Sequence, residues 1–222
     1  MIPVEPGTFI MGAPSTQLGS GTNERPQHKV TITKKFWLSE GLVTQDLWHL
    51  IMNNNPSGNA GLNKQLPVEK VSWEDCQTFI TKLNQLTGKS FRLPTEAEWE
   101  FAARGGNFSK GYIFSGSNDQ KEVAWYKTNS GGTTQPIGQK KSNELGLYDM
   151  SGNVCEWVSD LYGQYSSADQ VDPTGATSGR FRVYRNGSYQ DTAAKCRISY
   201  RYPAEPTYKR PFLGFRLALT EE

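Results

Sequence analysis

Residues 181–217 interleave two sets of side chains, and this alternation constrains the chain more than any other feature. One set is a scaffold of small residues and arginines, such as Arg185, Gly187, Arg197 and Arg201. The other set follows neither helical nor strand periodicity. It combines tyrosines with short polar side chains, a mixture typical of antibody loops. The pattern favours a binding surface on a fixed support over an ordinary long surface loop.

The second set, here named the gap residues, is predicted to contact a ligand. Exposed tyrosine and phenylalanine side chains would supply most of the contact energy. The gap residues are Tyr184, Asn186, Tyr189, Gln190, Asp191, Thr192, Lys195, Tyr200, Tyr202, Pro203, Ala204, Glu205, Thr207, Tyr208, Lys209, Pro211 and Phe212.

The arginines of the scaffold are predicted to anchor the backbone through bidentate pairs with interior carboxylates. Their candidate partners are Glu98, Glu100 and Glu156. A nucleic-acid patch is the competing explanation, but these cations alternate with scaffold residues and do not form a basic stripe. The framework arginines are Arg182, Arg185, Arg197, Arg201 and Arg216.

The composition indicates a globular chain. It has 222 residues, of which 36% are hydrophobic and 21% charged, and a formal net charge of +2. No apolar stretch approaches the roughly 20 residues of a membrane helix, and no leader sequence is recognisable. The cysteines Cys76, Cys155 and Cys196 lack metal-type spacing and are expected to be reduced and buried.

Three helices are predicted from capping residues and apolar spacing. Thr44 starts one that runs to about Met52, with Leu50 facing inward. Ser72 and Asp75 form a capping box for the second, which Gly88 ends and in which Leu86 faces inward. A third begins at Thr95 and ends at Gly105 and Gly106. With their capping residues, the predicted helices span 44–52, 72–88 and 95–106.

The rest of the chain is predicted to be loop and short strand. Strands are expected at 9–12 and within 29–38, and a loop at 53–64. No convincing helix follows Gly106, and no linker or repeat divides the chain. The sequence therefore predicts one α+β domain over residues 1–222.

Two long stretches carry a family resemblance. Residues 91–106 (FRLPTEAEWEFAARGG) and 143–157 (NELGLYDMSGNVCEW) resemble the two signatures of the formylglycine-generating enzyme (sulfatase-modifying factor) family. The opening PGTFIMG at 6–12 and the closing Gly214-Phe215-Arg216 are similar to it as well. The resemblance implies a C-type-lectin-like fold, with two main helices, an irregular β-rich region and little regular secondary structure.

The resemblance also implies a test for catalysis. Enzymes of the family oxidise a substrate cysteine with copper bound to two cysteines in the C-terminal segment. Here the corresponding positions are Asp191 and Cys196, and a carboxylate is a poor substitute for a thiolate as a Cu(I) ligand. We expect no enzymatic activity and no copper cofactor. A cysteine oxidase or another enzyme of this family is the alternative.

Calcium is the one metal for which candidate ligands exist. In the enzymes the loop equivalent to 152–157 helps to hold Ca²⁺, so the resemblance implies Asn153 and Glu156 as ligands here. The alternative is that Glu156 pairs with a framework arginine while Asn153 caps a turn. His28 and His49 are the only histidines, and neither belongs to a ligand cluster.

The ending Gly214-Phe215-Arg216-Leu217-Ala218 is most similar to the variable proteins of diversity-generating retroelements, which share this fold. In those proteins a C-terminal segment is diversified at chosen codons while a framework stays fixed. The resemblance implies a display protein whose partner is an unknown protein or surface ligand. It implies a location at the cell surface, outside the cell or on a phage particle.

Overall fold

Short strands and four α-helices make up the regular structure of the part of the chain described by a computed structural model, which covers residues 1–60, 63 and 65–220. The strands are β1 (Ile2–Val4), β2 (Gly7–Met11), β3 (His28–Ile32), β4 (Phe36–Leu38), β5 (Phe91–Arg92), β6 (Cys155–Leu161), β7 (Gln170–Val171), β8 (Arg182–Arg185), β9 (Arg201–Ala204), β10 (Leu213–Phe215) and β11 (Ala218–Leu219). The helices are α1 (Gln45–Met52), α2 (Trp73–Thr87), α3 (Glu96–Ala103) and α4 (Gln120–Val123). Single 3₁₀ turns lie at Thr22–Glu24, Gly106–Phe108 and Ala193–Cys196.

The first three helices begin at the predicted caps. The side chains of Thr44, Ser72 and Thr95 each accept a hydrogen bond from a backbone N–H three residues on. This satisfies a donor that has no partner inside the helix. Leu50 and Leu86 are 77% and 70% exposed, so the prediction that they face inward is wrong. Both positions follow helical spacing, but no neighbouring element covers that side of the helix.

One short helix was missed. Asp119 caps α4, its side chain accepting a hydrogen bond from the backbone N–H of Lys121 at 2.9 Å. Four residues are too few to show a periodic pattern. The predicted loop at 53–64 has no strand or helix at 53–60 or 63, while residues 61, 62 and 64 lie outside the described residues.

Three sheets organise the strands. Their strand orders are β1-β4-β11-β5, β10-β6-β8-β9 and β2-β3-β7. The second sheet carries the C-terminal segment: β8 pairs antiparallel with both β6 and β9, and β10 pairs parallel with β6. Gly214 in β10 lies so close to the rest of the fold that a Cβ there would meet the carbonyl oxygen of Val68 at 2.4 Å.

The core lies between these sheets and the helices. Helix α3 is buried along its whole length and packs against β2, β3 and β6. A second cluster joins α1, α2 and β10, where the Phe79 ring lies 5.2 Å from Trp48 and 5.4 Å from Phe215. Near its two ends the 181–217 segment is fixed in the core, through Val183 of β8 and Phe215 of β10. That residues 1–222 form a single domain stays a prediction.

Candidate binding face and its arginine framework

The loops of the 181–217 segment are attached to the rest of the fold by backbone atoms. The N–H of Tyr189 donates to the carbonyl of Asn153 at 2.8 Å, and the carbonyl of Asp191 accepts from Lys127 at 2.9 Å. Farther on, the carbonyl of Arg210 accepts from Lys70 at 3.0 Å and that of Phe212 accepts from Cys155 at 2.7 Å. These contacts do not depend on which side chains the loops carry.

Gly187 is needed where two parts of the segment meet. A Cβ at this position would lie 2.7 Å from the carbonyl carbon of Lys195, closer than real side chains approach. The scaffold glycine therefore allows the chain after β8 to pack against the 3₁₀ turn at Ala193–Cys196.

Arg185 is a framework arginine at the centre of a buried polar network. It is fully buried, and its guanidinium donates to Glu96 at 2.7 Å and to Glu100 at 2.5 Å, both on α3. The same group donates to the carbonyl of Ile198 at 2.6 Å. One side chain therefore ties β8, α3 and the loop before β9 together.

Arg201 and Arg197 repeat this arrangement. Arg201 forms a bidentate pair with Glu96, with both nitrogen–oxygen distances at 2.7 Å. Arg197 is paired with the buried Glu24 at 2.6 Å and donates to the carbonyl of Gly19, also at 2.6 Å. Each cation is neutralised by a carboxylate from outside the segment, as buried charges require.

Arg216 pairs with Glu156, and both side chains are fully buried. The two Glu156 oxygens accept from Arg216 at 2.6 and 3.0 Å, and Oε2 also accepts from the indole of Trp99 at 3.0 Å. The Asn153 amide exchanges hydrogen bonds with the backbone of Gln135. The oxygens of both side chains therefore already accept hydrogen bonds within the protein. Glu156 follows the alternative, a pair with a framework arginine, and calcium binding at these two residues stays a prediction that the contacts do not support.

The partner prediction was partly wrong. Glu100 and Glu156 do pair with framework arginines, but Glu98 pairs with Arg92 at 2.6 Å, next to its capping box. The missed partners are Glu96 and Glu24. Glu96 lies in the first turn of α3, where acidic residues are common because they interact favourably with the helix dipole. The sequence therefore gives no signal that singles out Glu96 as a partner of the framework arginines.

Arg182 differs from the other framework arginines, because its guanidinium stacks on the Trp73 ring, 3.8 Å from the ring centroid.

The arginines dominate the electrostatics of the interior. Burial alone would raise the pKa of Glu96, but the charges of Arg201 and Arg185 outweigh it and lower that pKa to about 2. Asp160 lies nearby without such a partner, and burial together with the charge of Glu96 raises its pKa to about 7. Glu96 is therefore held ionised in the fold, while Asp160 is not.

Three gap residues are buried, and for Asn186 and Ala204 this corrects the prediction that they contact a ligand directly. Asn186 is fully buried, and its amide bonds to backbone atoms of residues 149, 152, 154 and 187. Its φ of 71° suits asparagine at this turn. Ala204 belongs to the core cluster around Trp157, and Tyr184 is 7% exposed.

The other gap residues are all exposed or half-buried. Adjacent framework and gap residues differ sharply in exposure: the framework residue Arg201 is 1% exposed, whereas the gap residue Tyr202 is 44% exposed. Seven of the exposed or half-buried gap residues line one cleft of about 250 Å³, which is also lined by Cys155 and Tyr184. These seven are Gln190, Asp191, Lys195, Tyr200, Tyr202, Tyr208 and Phe212.

The remaining exposed gap residues do not line this cleft. Glu205 pairs with the exposed Arg180, and Lys209 pairs with Asp75 at 2.7 Å. Tyr189, Thr192 and Thr207 make no contact with the cleft. The structure thus brings together part of the predicted set, not all of it.

The cleft has an aromatic wall and one ion pair. The ring centroid of Tyr202 lies 5.5 Å from that of Tyr184 and 5.9 Å from that of Tyr200. Lys195 Nζ lies 3.0 Å from Asp191 Oδ1, while Asp191 Oδ2 accepts from the hydroxyl and the backbone N–H of Ser188. Burial raises the pKa of both Tyr184 and Tyr200, so their hydroxyls remain protonated donors at neutral pH.

The cysteines are free and buried, as predicted. Burial raises the pKa of Cys155 and of Cys196, with a further contribution from the charge of Asp191. With Asp191 bonded to Ser188 and Lys195, these residues do not fit a copper site built from two thiolates. Among the described residues, no three Asp, Glu, His or Cys side chains group as metal ligands would.

Comparison with known proteins places the chain in a family. The model of the sulfatase-modifying factor enzyme 1-like domain matches residues 1–221. The chain belongs to this family.

Solved structures of similar proteins agree with that assignment. Variable protein 1 of Treponema denticola is 30% identical and superposes with a TM-score of 0.90, covering 100% of this chain and 95% of the other. PvdO from Pseudomonas aeruginosa is 25% identical with a TM-score of 0.81, covering 99% and 93%. The C-type-lectin-like fold of the formylglycine-generating enzyme type is confirmed, with its few helices and irregular sheets.

Proteins with sequences similar to this chain carry several different names. The chaperone protein LppX of Paenibacillus barcinonensis is 31% identical over 232 residues, which cover 82% of this chain and 79% of that protein. The formylglycine-generating enzyme of Streptomyces coelicolor is 35% identical over 169 residues, which cover 68% of this chain and 52% of the enzyme. The match thus spans about half the length of that enzyme, so its activity does not transfer with the fold.

No helix in the described part of the chain combines the length and the apolar character of a membrane span.

Proposed function

We propose that this chain is a non-catalytic display protein whose C-terminal face, diversified by a retroelement, binds a protein or another surface ligand. One observation carries the proposal: in residues 181–217 the loops are attached through backbone atoms and buried arginines, whereas most gap side chains point outward. Substitutions at exposed positions away from special features usually change stability by less than about 0.5 kcal/mol. Such a face can change its ligand without losing its fold.

The similarity to Treponema denticola variable protein 1 supports this proposal, because it extends over the whole chain. A binding protein of this kind acts where it meets its ligand, at the cell surface, outside the cell or on a phage particle. Nucleic acid is not the expected ligand, because the interior framework arginines are neutralised by carboxylates and do not form a basic patch.

The DNA around the gene provides the first test. A reverse transcriptase gene is expected nearby, together with a near-copy of codons 181–217 that differs at adenines of the gap codons. If related strains carry identical gap codons and no near-copy exists, the proposal that a retroelement diversifies this segment is wrong.

A matched pair of libraries provides the second test. One library randomises Gln190, Lys195, Tyr202, Thr207 and Lys209; the control randomises five exposed residues elsewhere, Lys29, Leu50, Leu86, Lys110 and Asp169. After selection against a purified protein such as lysozyme, specific binders should come from the first library only. If both libraries gave equal numbers of specific binders, the proposal that the gap residues form a dedicated binding face would lose its support.

The alternative, a cysteine oxidase of this family, is tested directly by incubating the protein with a cysteine-containing peptide and stoichiometric copper. We expect no formylglycine product, because Asp191 occupies one of the two thiolate positions. Formation of the aldehyde would contradict the non-catalytic assignment.

A further inference from the structure

The cleft described above, here named the tyrosine cleft, already holds a cation of its own. Lys195 Nζ lies 6.0 Å from the ring centroid of Tyr200, within the range of a cation–π contact. The same ammonium lies 3.0 Å from Asp191 Oδ1. One carboxylate oxygen and one aromatic face therefore stabilise a positive charge at this position.

Lys195 is not fixed there. Its side chain is 46% exposed, against 17% for Asp191, and its ammonium has no hydrogen bond to a backbone carbonyl among the contacts of the described residues. Burial lowers the pKa of Lys195, but the hydrogen bond to Asp191 outweighs it and the pKa is raised. A long exposed side chain can leave such a position by rotation, because its rotamer freedom increases on release.

Asp191 and the aromatic rings would remain in place if Lys195 moved away. The Asp191 carboxylate is held by Ser188 through its other oxygen, with the hydroxyl at 2.5 Å and the backbone N–H at 3.0 Å. Tyr202 is supported from below by Tyr184, whose ring packs edge-on against Trp157 at 5.7 Å. The site is thus preformed, which reduces the entropy lost on binding.

We propose that the tyrosine cleft takes a cationic side chain, a guanidinium or an alkylammonium, from a protein ligand, and that Lys195 occupies the same position until the ligand displaces it. The cleft volume of about 250 Å³ accommodates one long side chain and not a folded element. The incoming cation would pair with Asp191 Oδ1 and lie against Tyr200 and Tyr202. This inference rests on the proposed binding role of the face and specifies the chemistry of its ligand.

Small probes test the inference without the unidentified ligand. Nα-acetyl-arginine amide is titrated into the full chain and followed by ¹H–¹⁵N NMR at the cleft residues. Its neutral isostere, Nα-acetyl-citrulline amide, and the apolar Nα-acetyl-norleucine amide serve as controls. Only the arginine probe should shift the resonances of Asp191, Tyr200 and Tyr202, with weak affinity.

Two variants separate a cation site from a generic groove. Lys195→Met removes the internal competitor and keeps an unbranched stem, so it should bind the arginine probe roughly two- to fivefold more tightly, the size expected of a half-exposed cation–π contact. Asp191→Asn keeps an oxygen for Ser188 but loses the charge, and should bind arginine and citrulline amides equally. Thermal unfolding of both variants verifies that the fold is retained.

The inference is overturned if citrulline or norleucine amide binds wild type as tightly as arginine amide does, or if Lys195→Met gains no affinity. Either result would still leave the proposed binding face intact, because that proposal is tested by the gene neighbourhood and by the paired libraries.

Discussion

Arg201 and Tyr202 are adjacent in the chain, yet they belong to two different regions of the molecule. Arg201 is buried against Glu96 of α3, whereas Tyr202 stands at the tyrosine cleft and touches mainly other gap residues. The same division runs through much of residues 181–217. The contrast shows how one segment can be both structural and changeable: its contacts to the rest of the fold and its contacts to a ligand are made by different side chains.

The ion pairs of the two regions differ in the same way. Arg216–Glu156 and Arg185–Glu100 are fully enclosed, while Arg180–Glu205 is exposed on both sides. Breaking an enclosed pair leaves an unpaired charge without water, whereas an exposed partner is simply solvated. Stability should therefore be sensitive to the buried arginines and insensitive to the gap residues.

The largest effect is expected at Arg216. Arg216→Ala should destabilise the protein by about 3–5 kcal/mol, because Glu156 would remain buried without its partner. Arg180→Ala is the matched control and should cost less than about 1 kcal/mol. Urea unfolding followed by circular dichroism measures both. Equal midpoints for the two variants would abolish the distinction between the two regions.

The next effect is acid sensitivity. The pKa of Glu96 is lowered in the fold from 4.5 to about 2. Its contribution is therefore complete above pH 4.5 and is lost as the pH falls towards 2, amounting to about 3 kcal/mol. In a ¹³C titration the Glu96 carboxyl should remain ionised at about pH 3.5, where a glutamate in an unstructured peptide is mostly protonated. If Glu96 titrates like that peptide glutamate, it is not paired as described.

A smaller effect of opposite sign is expected at Asp160. Its pKa is raised in the fold from 3.8 to about 7, so ionisation costs stability as the pH rises through this interval. Asp160→Asn removes the charge and keeps an oxygen for the N–H of Glu96. Relative to wild type, the variant should gain roughly 2–3 kcal/mol as the pH rises from 5 to 8. Asp169→Asn, at an exposed site, is the control, and a pH-independent difference for Asp160→Asn would contradict the assignment.

The smallest effect is expected on the gap surface. Replacing Gln190, Thr192, Lys195, Thr207 and Lys209 together by alanine should change stability by no more than about 2.5 kcal/mol, since each of the five sites contributes within about 0.5 kcal/mol. Calorimetry gives the value. A loss comparable to that of Arg216→Ala would show that these side chains support the fold, and the division between the regions would fail.

The sequence by itself determined much of the framework. Capping residues predicted where α1, α2 and α3 begin, because a cap is a local interaction between neighbours three residues apart. The two family stretches predicted the fold, and the repeating arginines predicted buried ion pairs. The pair Asp191 and Cys196 predicted that the copper ligands of the enzymes are incomplete here.

Only the tertiary structure decided which carboxylates pair with these arginines and which gap residues reach the surface. Glu96 and Glu98 are two positions apart on α3, yet one meets Arg185 and Arg201 while the other turns back to Arg92. Asn186 carries a surface-type side chain but lies in the interior, where backbone groups of residues 149–154 need its amide. Apart from Glu98–Arg92, these pairings join residues 32 to 105 positions apart, and their choice depends on how the sheets and α3 pack. A single sequence records the residue types but not those distances.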